Sequence, residues 1–303
     1  MFGSYRFLLA MLVALSHFGL TKAGFHPGQW AVVGFYLLSG YLMQKQATKL
    51  GSWFLPDRLL RVLPLFWAAL LALALGTGAL RHPLENLTLL PLAYWKSASA
   101  LHPLWSLAVE MHYYLLTPLL IRLDNGRLRL VAWASVAVFA VSPWLPYSTW
   151  WAYTGPLGTL FAYVVGMLVA RRSSMPGLLP VIGALLVAYA AGKILQVDAP
   201  SGININVCIG TLAALPMVRW LATRKENALG SRLGTLTYPL FLLHELVHIL
   251  TGWSSLPALI AGSLAASWLA AELIEKPADR LRHRLRLAYG RRVTEVAADQ
   301  PAA

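Results

Sequence analysis

Leu104-Trp105-Ser106-Leu107-Ala108-Val109-Glu110-Met111-His112-Tyr113-Tyr114-Leu115 opens an apolar run over residues 104–122. At about 1.5 Å of helical rise per residue, such a run reaches roughly 28 Å, close to the ~30 Å hydrocarbon core of a bilayer. Glu110 stands inside it. A carboxylate in a span costs roughly 2.5–3.5 kcal/mol on insertion scales, so it is expected to face a polar cavity and to mark function. Ser106, four residues earlier, shares its helix face.

The rest of the chain reads the same way. Of 303 residues, 58% are hydrophobic and only 12% charged, too few charges to clothe a soluble surface. Twelve Trp and twelve Tyr suit the aromatic belts at headgroup level. Apolar runs predict ten spans, near residues 4–20, 29–43, 61–80, 104–122, 128–146, 153–170, 178–196, 203–221, 233–252 and 256–275. The net charge of +13 lies between these runs and not on a soluble arm or face, which argues against nucleic acid as a partner. With the N-terminus inside, 21 of the 25 Lys and Arg residues fall on inner segments, leaving Lys22, Arg81, Lys96 and Lys193 outside. By the positive-inside rule both termini are assigned to the cytoplasm. The expected fold is therefore all-α, a polytopic membrane protein of about ten transmembrane helices.

The first span lacks a clear small-x-small cleavage site and reads as an uncleaved anchor. Residues 1–276 form one membrane domain, and 277–303 a basic cytoplasmic tail expected to be solvated near anionic lipid. Cys208 is the only cysteine, so no intramolecular disulfide and no cysteine-based zinc cluster is expected. Residues 44–60 are basic and amphipathic. Residues 81–103 form the largest outer connection, a place where an acceptor could dock.

Within the first span Arg6 and His17 stand roughly 17 Å apart by helical rise, Arg6 near the inner face and His17 near the outer. Glu110 falls about 9 Å from the outer end of its span, in the same half as His17. An imidazole beside a partly desolvated carboxylate suits acyl transfer: the imidazole removes a hydroxyl proton and the carboxylate fixes its tautomer. His17 and Glu110 are expected to form that pair. Arg58 and Arg61, three apart at an inner mouth, suit bidentate contacts to the phosphates of a nucleotide-bearing donor, or simple positive-inside anchoring. His26, His82, His102 and His112 read as structural, Asn204 and Asn206 as interhelical hydrogen-bonding groups, and Glu275 as an architectural residue that could meet an inner arginine.

Taken together, several segments resemble the membrane acyltransferase family 3, whose members O-acylate carbohydrates and other acceptors. Arg6 and His17 are one such segment. The others are Gly34-Phe35-Tyr36-Leu37-Leu38-Ser39-Gly40-Tyr41-Leu42, Arg58-x-x-Arg61 before Pro64-Leu65-Phe66-Trp67, the Leu104–Leu115 block, Gly234-Thr235-Leu236-Thr237-Tyr238-Pro239-Leu240-Phe241-Leu242-Leu243-His244, and Ile274-Glu275-Lys276-Pro277. The resemblance covers most of the chain, in the short form without an extra extracytoplasmic domain. It implies that His17 is catalytic and assisted by Glu110, that Arg6, Arg58 and Arg61 handle acyl-coenzyme A, and that Ser39, Ser106, Tyr238 and His244 support the site. It further implies acetyl-CoA as the default donor, no permanently bound cofactor, and a carbohydrate acceptor met on the outer side of a bacterial inner membrane. Membrane lipid and glycan-assembly proteins are the expected company. Direct attack by a hydroxyl activated by His17 is preferred over an acyl-histidine relay.

Two rivals have sequence support. His244-Glu245-Leu246-Val247-His248 matches H-E-x-x-H, which in a span suggests an intramembrane zinc protease with Asp124 as the candidate third protein ligand. Buried Arg, His and Glu on ten spans would also serve a proton-coupled transporter, although no repeated halves or paired broken helices are visible. On the acyltransferase reading no metal site is expected.

Overall fold

The computed structural model describes residues 1–22, 24–194 and 203–298, without the side chains of residue 193 and residues 291–298. Among them there is no strand beyond one isolated bridge between Lys22 and Phe25, and the architecture is all-helical. Ten long helices occupy the ten apolar runs: α1 (Phe2–His17), α2 (Pro27–Leu50), α3 (Phe54–Thr77), α5 (Leu104–Leu120), α6 (Asn125–Val141), α7 (Pro156–Ala170), α8 (Leu178–Ile194), α9 (Ile205–Leu221), α10 (Ala228–Thr251) and α11 (Leu256–Ala270). The last two residues of the expected seventh span, 195 and 196, lie outside the described residues. Four helical stretches, Pro27–Thr77, Trp150–Ala170, Ala228–Thr251 and Leu256–Gly290, are long and apolar enough to cross a membrane. The first of these would be about 77 Å as one helix, far longer than a bilayer is thick. It is two helices, because Gly51 at φ 53° ends α2 and the 3₁₀ turn Gly51–Trp53 reverses into α3.

Three segments outside the ten long helices' middles bear on the site. The basic segment 44–60 is the last turns of α2, the turn, and the start of α3. The outer connection contains the short helix α4 (Pro83–Thr88) and two 3₁₀ turns, Leu90–Ala93 and Lys96–Ala98. Asn86 at its centre is fully buried, donating to the carbonyls of Arg81, His82 and Ala98 and accepting from Ala100 N. Residues 276–298 keep their described side chains exposed or half-buried yet are held in place. They form α12 (Lys276–Ala298), which docks on the α2–α3 corner through Tyr289, stacked on Trp53 and bonded to Ser52 Oγ at 2.6 Å.

The bundle is organised around α7, 89% of whose apolar window is buried. Glycines set its distance from α2: a Cβ on Gly40 would lie 1.8 Å from Tyr163 O, and one on Gly166 would lie 1.9 Å from Leu37 O. Without a hydrophobic drive between helices in lipid, such close backbone approach and interhelical hydrogen bonds are what hold spans together. The latter are present as Tyr113 OH to Pro156 O at 2.8 Å and Thr117 Oγ1 to Tyr163 OH at 2.5 Å. Asn206 takes the interhelical role expected of it, accepting from His26 N and Trp30 Nε1, and Asn204 donates to Gln29. Leu8, Leu71, Leu75, Leu130 and Leu273 are turned outward, the inside-out pattern of a chain whose solvent is lipid.

Gly40→Ala and Gly166→Ala should each destabilise the bundle by about 1–3 kcal/mol through overpacking. Gly183→Ala, with nothing within 4 Å of the new methyl, should leave thermal unfolding in detergent unchanged or slightly raised.

Candidate active site

Two helices far apart in sequence carry the centre. α1 and α10 run parallel and in register: Gly3 meets Gly230, and His17 meets His244, each pair 227 residues apart. A Cβ on Gly3 would lie 1.9 Å from Gly230 O, so only glycine permits this approach. One turn on, a Cβ on Gly234 would lie 3.0 Å from Arg6 Nη2, so a glycine there makes room for the guanidinium.

At the far end of this contact His17 Nδ1 stands 2.8 Å from His244 Nε2, with the rings 5.0 Å apart and inclined at 29°. His244 Nδ1 is 3.0 Å from Leu240 O. A carbonyl only accepts, so His244 Nδ1 carries the proton and its Nε2, in the neutral ring, is an acceptor. His17 Nδ1 must then donate, which leaves His17 Nε2 with a free lone pair. His244 is fully buried, whereas His17 is accessible and lines a cavity of about 180 Å³ with Lys96, His102, Trp105 and Ser106. An accessible imidazole whose tautomer is set by a buried partner is equipped to take a proton.

The outer connection supplies the rest of this chamber. The His102 ring sits edge-on to His17 at 5.3 Å, and its backbone N–H donates to the Glu245 carboxylate. Lys96 Nζ lies 5.2 Å from the centre of the Trp105 ring. Burial lowers the Lys96 ammonium pKa, and burial followed by the nearby Lys96 charge lowers that of His102, favouring a neutral His102 imidazole near pH 7. Lys96 and His102 also line an adjoining groove of about 750 Å³ with the aromatic rings of Tyr94, Trp95, Tyr147 and Trp150.

The arginines form a second chamber. Arg6, Arg58, Arg61, Ser39, Glu110 and Tyr238 line a cavity of about 150 Å³. Arg58 is paired with buried Asp57, which also receives Arg282 Nη1 at 3.0 Å. Arg61 Nη1 donates to both carboxylate oxygens of Asp279 at 3.0 Å and Nη2 lies 3.3 Å from Glu275, so Glu275 does meet an arginine. Tyr238 OH donates to Val62 O at 2.8 Å. Buried Arg6 Nε and Arg58 Nε have no hydrogen-bond partner, so donor capacity remains for an anionic or carbonyl-bearing ligand. Val32, Ser106 and Phe241 line both chambers and form the partition between them.

The expected pairing of His17 with Glu110 is not what the structure shows. His17 bonds to His244, while Glu110 Oε1 accepts from Tyr114 OH at 2.6 Å and faces the arginine chamber. The reason is helical depth: His17 lies level with His102, just ahead of α5, and Glu110 follows eight residues later, about 12 Å further along. His102, Lys96 and Glu245 are the groups sequence reasoning passed over. Only the position of the first two in the largest outer connection hinted at them. The H-E-x-x-H residues do not converge on one point either: His244 faces His17, Glu245 faces His102, and His248 Nδ1 bonds to Trp253 O at 2.8 Å. Asp124 caps α6, accepting from Arg127 N.

A family model described as an acyltransferase domain matches residues 5–272. The chain belongs to that family, acyltransferase family 3, and is a membrane acyltransferase. No curated protein and no solved structure matches it.

Asp57 holds two guanidinium groups and is 2% exposed, so Asp57→Ala strips Arg58 of its carboxylate and leaves Arg282 with Asp279 alone. The variant should lose about 3 kcal/mol of stability, read as a lowered unfolding temperature in detergent.

Proposed function

We propose that the chain is an integral O-acyltransferase, by default an O-acetyltransferase, of the bacterial inner membrane with both termini in the cytoplasm. On this reading it moves an acyl group from cytoplasmic acyl-CoA to a hydroxyl of an extracytoplasmic glycan or glycolipid. The observation that carries it is the accessible His17, backed by buried His244, in a chamber that adjoins the arginine cavity across Val32, Ser106 and Phe241. The distribution of Lys and Arg supports arginine-end-inside orientation.

In the proposed reaction the donor's phosphates lie with the arginines and its pantetheine arm reaches past the partition to bring the thioester toward His17. The acceptor hydroxyl gives its proton to His17 Nε2, and its oxygen attacks the thioester carbonyl. The C–S bond breaks and the coenzyme A thiolate leaves, taking up the proton from the imidazolium. His244 keeps His17 in the tautomer with Nε2 free and stabilises the imidazolium through the 2.8 Å bond. Glu110, away from His17, serves the donor chamber, where it offsets the charge of Arg6 and Arg58. Ser39, Ser106 and Tyr238 line that chamber and position its walls. The aromatic groove next to Lys96 and His102 offers amphipathic ring faces of the kind that pack on sugars while leaving hydroxyls hydrated, and glycan-assembly proteins would deliver the acceptor there.

The test is transfer of labelled acetyl from acetyl-CoA into a mixed glycan extract by protein in nanodiscs. His17→Ala should lower turnover roughly 10²- to 10⁴-fold while acetyl-CoA binding stays within about twofold, the range expected for removing a general base. No acyl-enzyme should accumulate when donor alone is supplied. Retained turnover in His17→Ala, or stoichiometric labelling of the protein by donor alone, would refute this mechanism.

A further inference from the structure

Beside the arginine cavity lies an open vestibule of about 460 Å³ that shares Arg6, Arg58 and Arg61 with it. To these the vestibule adds Lys49 from α2, and Arg282 and Arg286 from α12. Six cations thus face one concavity whose lining has two carboxylates, Asp57 and Glu226. Both carboxylates are engaged: Asp57 by Arg58 and Arg282, and Glu226 by the N-terminal ammonium and Gly3 N. Among the described residues Arg6 and Lys49 have no ion pair, and Arg286 bonds only to His283 Nδ1, at 3.0 Å. Unmatched cations converging on one hollow repel each other, and a multiply charged anion relieves that repulsion.

We infer that α12 completes the binding site for the phosphorylated head of the donor, with Arg286 of α12 and Lys49 of α2 gripping its phosphate groups. This rests on the reading of the donor as a coenzyme A thioester and adds to it a part of the chain that the family match does not reach, since the match ends at residue 272 and α12 begins at Lys276. The division of space fits such a ligand. The narrow cavity suits an uncharged pantetheine arm, and the wider cationic vestibule suits a diphosphate and a sugar phosphate. Asp57 and Asp279 position the site: Asp57 ties Arg282 of α12 to Arg58, and Asp279 of α12 holds Arg61, so the two helices present their guanidinium groups together. Tyr289, stacked on Trp53, anchors the same helix one turn beyond Arg286.

An anionic lipid headgroup offers related phosphate chemistry, and the experiment separates the two sources. Binding of coenzyme A, 3′-dephospho-coenzyme A and S-acetylpantetheine is measured on the full chain in phosphatidylcholine nanodiscs, then repeated with phosphatidylglycerol. Arg286→Gln and Lys49→Gln should each weaken coenzyme A about tenfold, and Arg286→Glu more, as expected for losing a charge-assisted contact. S-acetylpantetheine should bind these variants as it binds the unaltered protein. Arg284→Glu, on the same helix but outside the vestibule, should change nothing. The proposal is overturned if Arg286→Gln and Lys49→Gln bind coenzyme A normally, or if Arg284→Glu weakens it equally. It is also overturned if phosphatidylglycerol displaces coenzyme A from unaltered protein, which would assign the vestibule to lipid. Failure of the unaltered protein to bind coenzyme A in phosphatidylcholine would overturn the donor reading itself, and this proposal with it.

Discussion

The parallel contact between α1 and α10 is the constraint on which the rest depends. At one end Gly3 lets the α1 backbone close on Gly230 O to a distance no side chain there would tolerate, with Gly234 alongside; at the other, His17 and His244 share a hydrogen bond. Between them lie fourteen helical steps, about 21 Å of rise. An error of one residue in register would rotate a helical side chain by about 100° and carry His17 away from its partner. The same approach gives Arg6 its place beside Gly234 at the level of the other arginines. One interface therefore sets both the spacing of the two chambers and the tautomer of the accessible imidazole.

That division has a chemical logic. The reaction proposed here needs a strongly cationic place for the donor and a proton acceptor near an acceptor alcohol, and these needs conflict if they share one pocket. A neighbouring cation disfavours protonation of an imidazole and so weakens it as a base. Distance along the helix axis keeps the arginines from His17, leaving Lys96 as the one Lys or Arg lining its chamber, and Glu110 stands on the arginine side, where a negative charge is useful. Val32, Ser106 and Phe241 form the only described lining common to both chambers. Their size and polarity decide how the thioester passes from one to the other.

Much of the fold was legible because apolar length is a local signal. The ten apolar runs became the ten long helices, and the grouping of Arg6, Arg58 and Arg61 followed from their shared end of the bundle. Contacts between remote segments were not legible in the same way. Nothing in the spacing of α1 announces that its histidine faces one 227 residues later, so Glu110, the nearest carboxylate by depth, was the natural but wrong partner. Counting from the outer end of its span put Glu110 in the same half as His17; the outer connection instead brings His102 level with His17 ahead of α5, which leaves Glu110 further along, in the arginine chamber. The polar composition of the basic residues after 276 gave no sign that they would form a helix with a fixed place. Their fixing contacts, Arg282 to Asp57 and Tyr289 to Trp53, join positions more than two hundred residues apart.

The central claim is that His17 and His244 act as one unit. A double-mutant cycle on turnover tests it most directly, using His17→Ala, His244→Ala and the double variant at saturating donor and acceptor. If His244 works only through His17, the double variant will turn over no more slowly than His17→Ala alone, because the second substitution removes support for a group already absent. If the two losses multiply, His244 acts independently of His17 and the paired-histidine account is wrong.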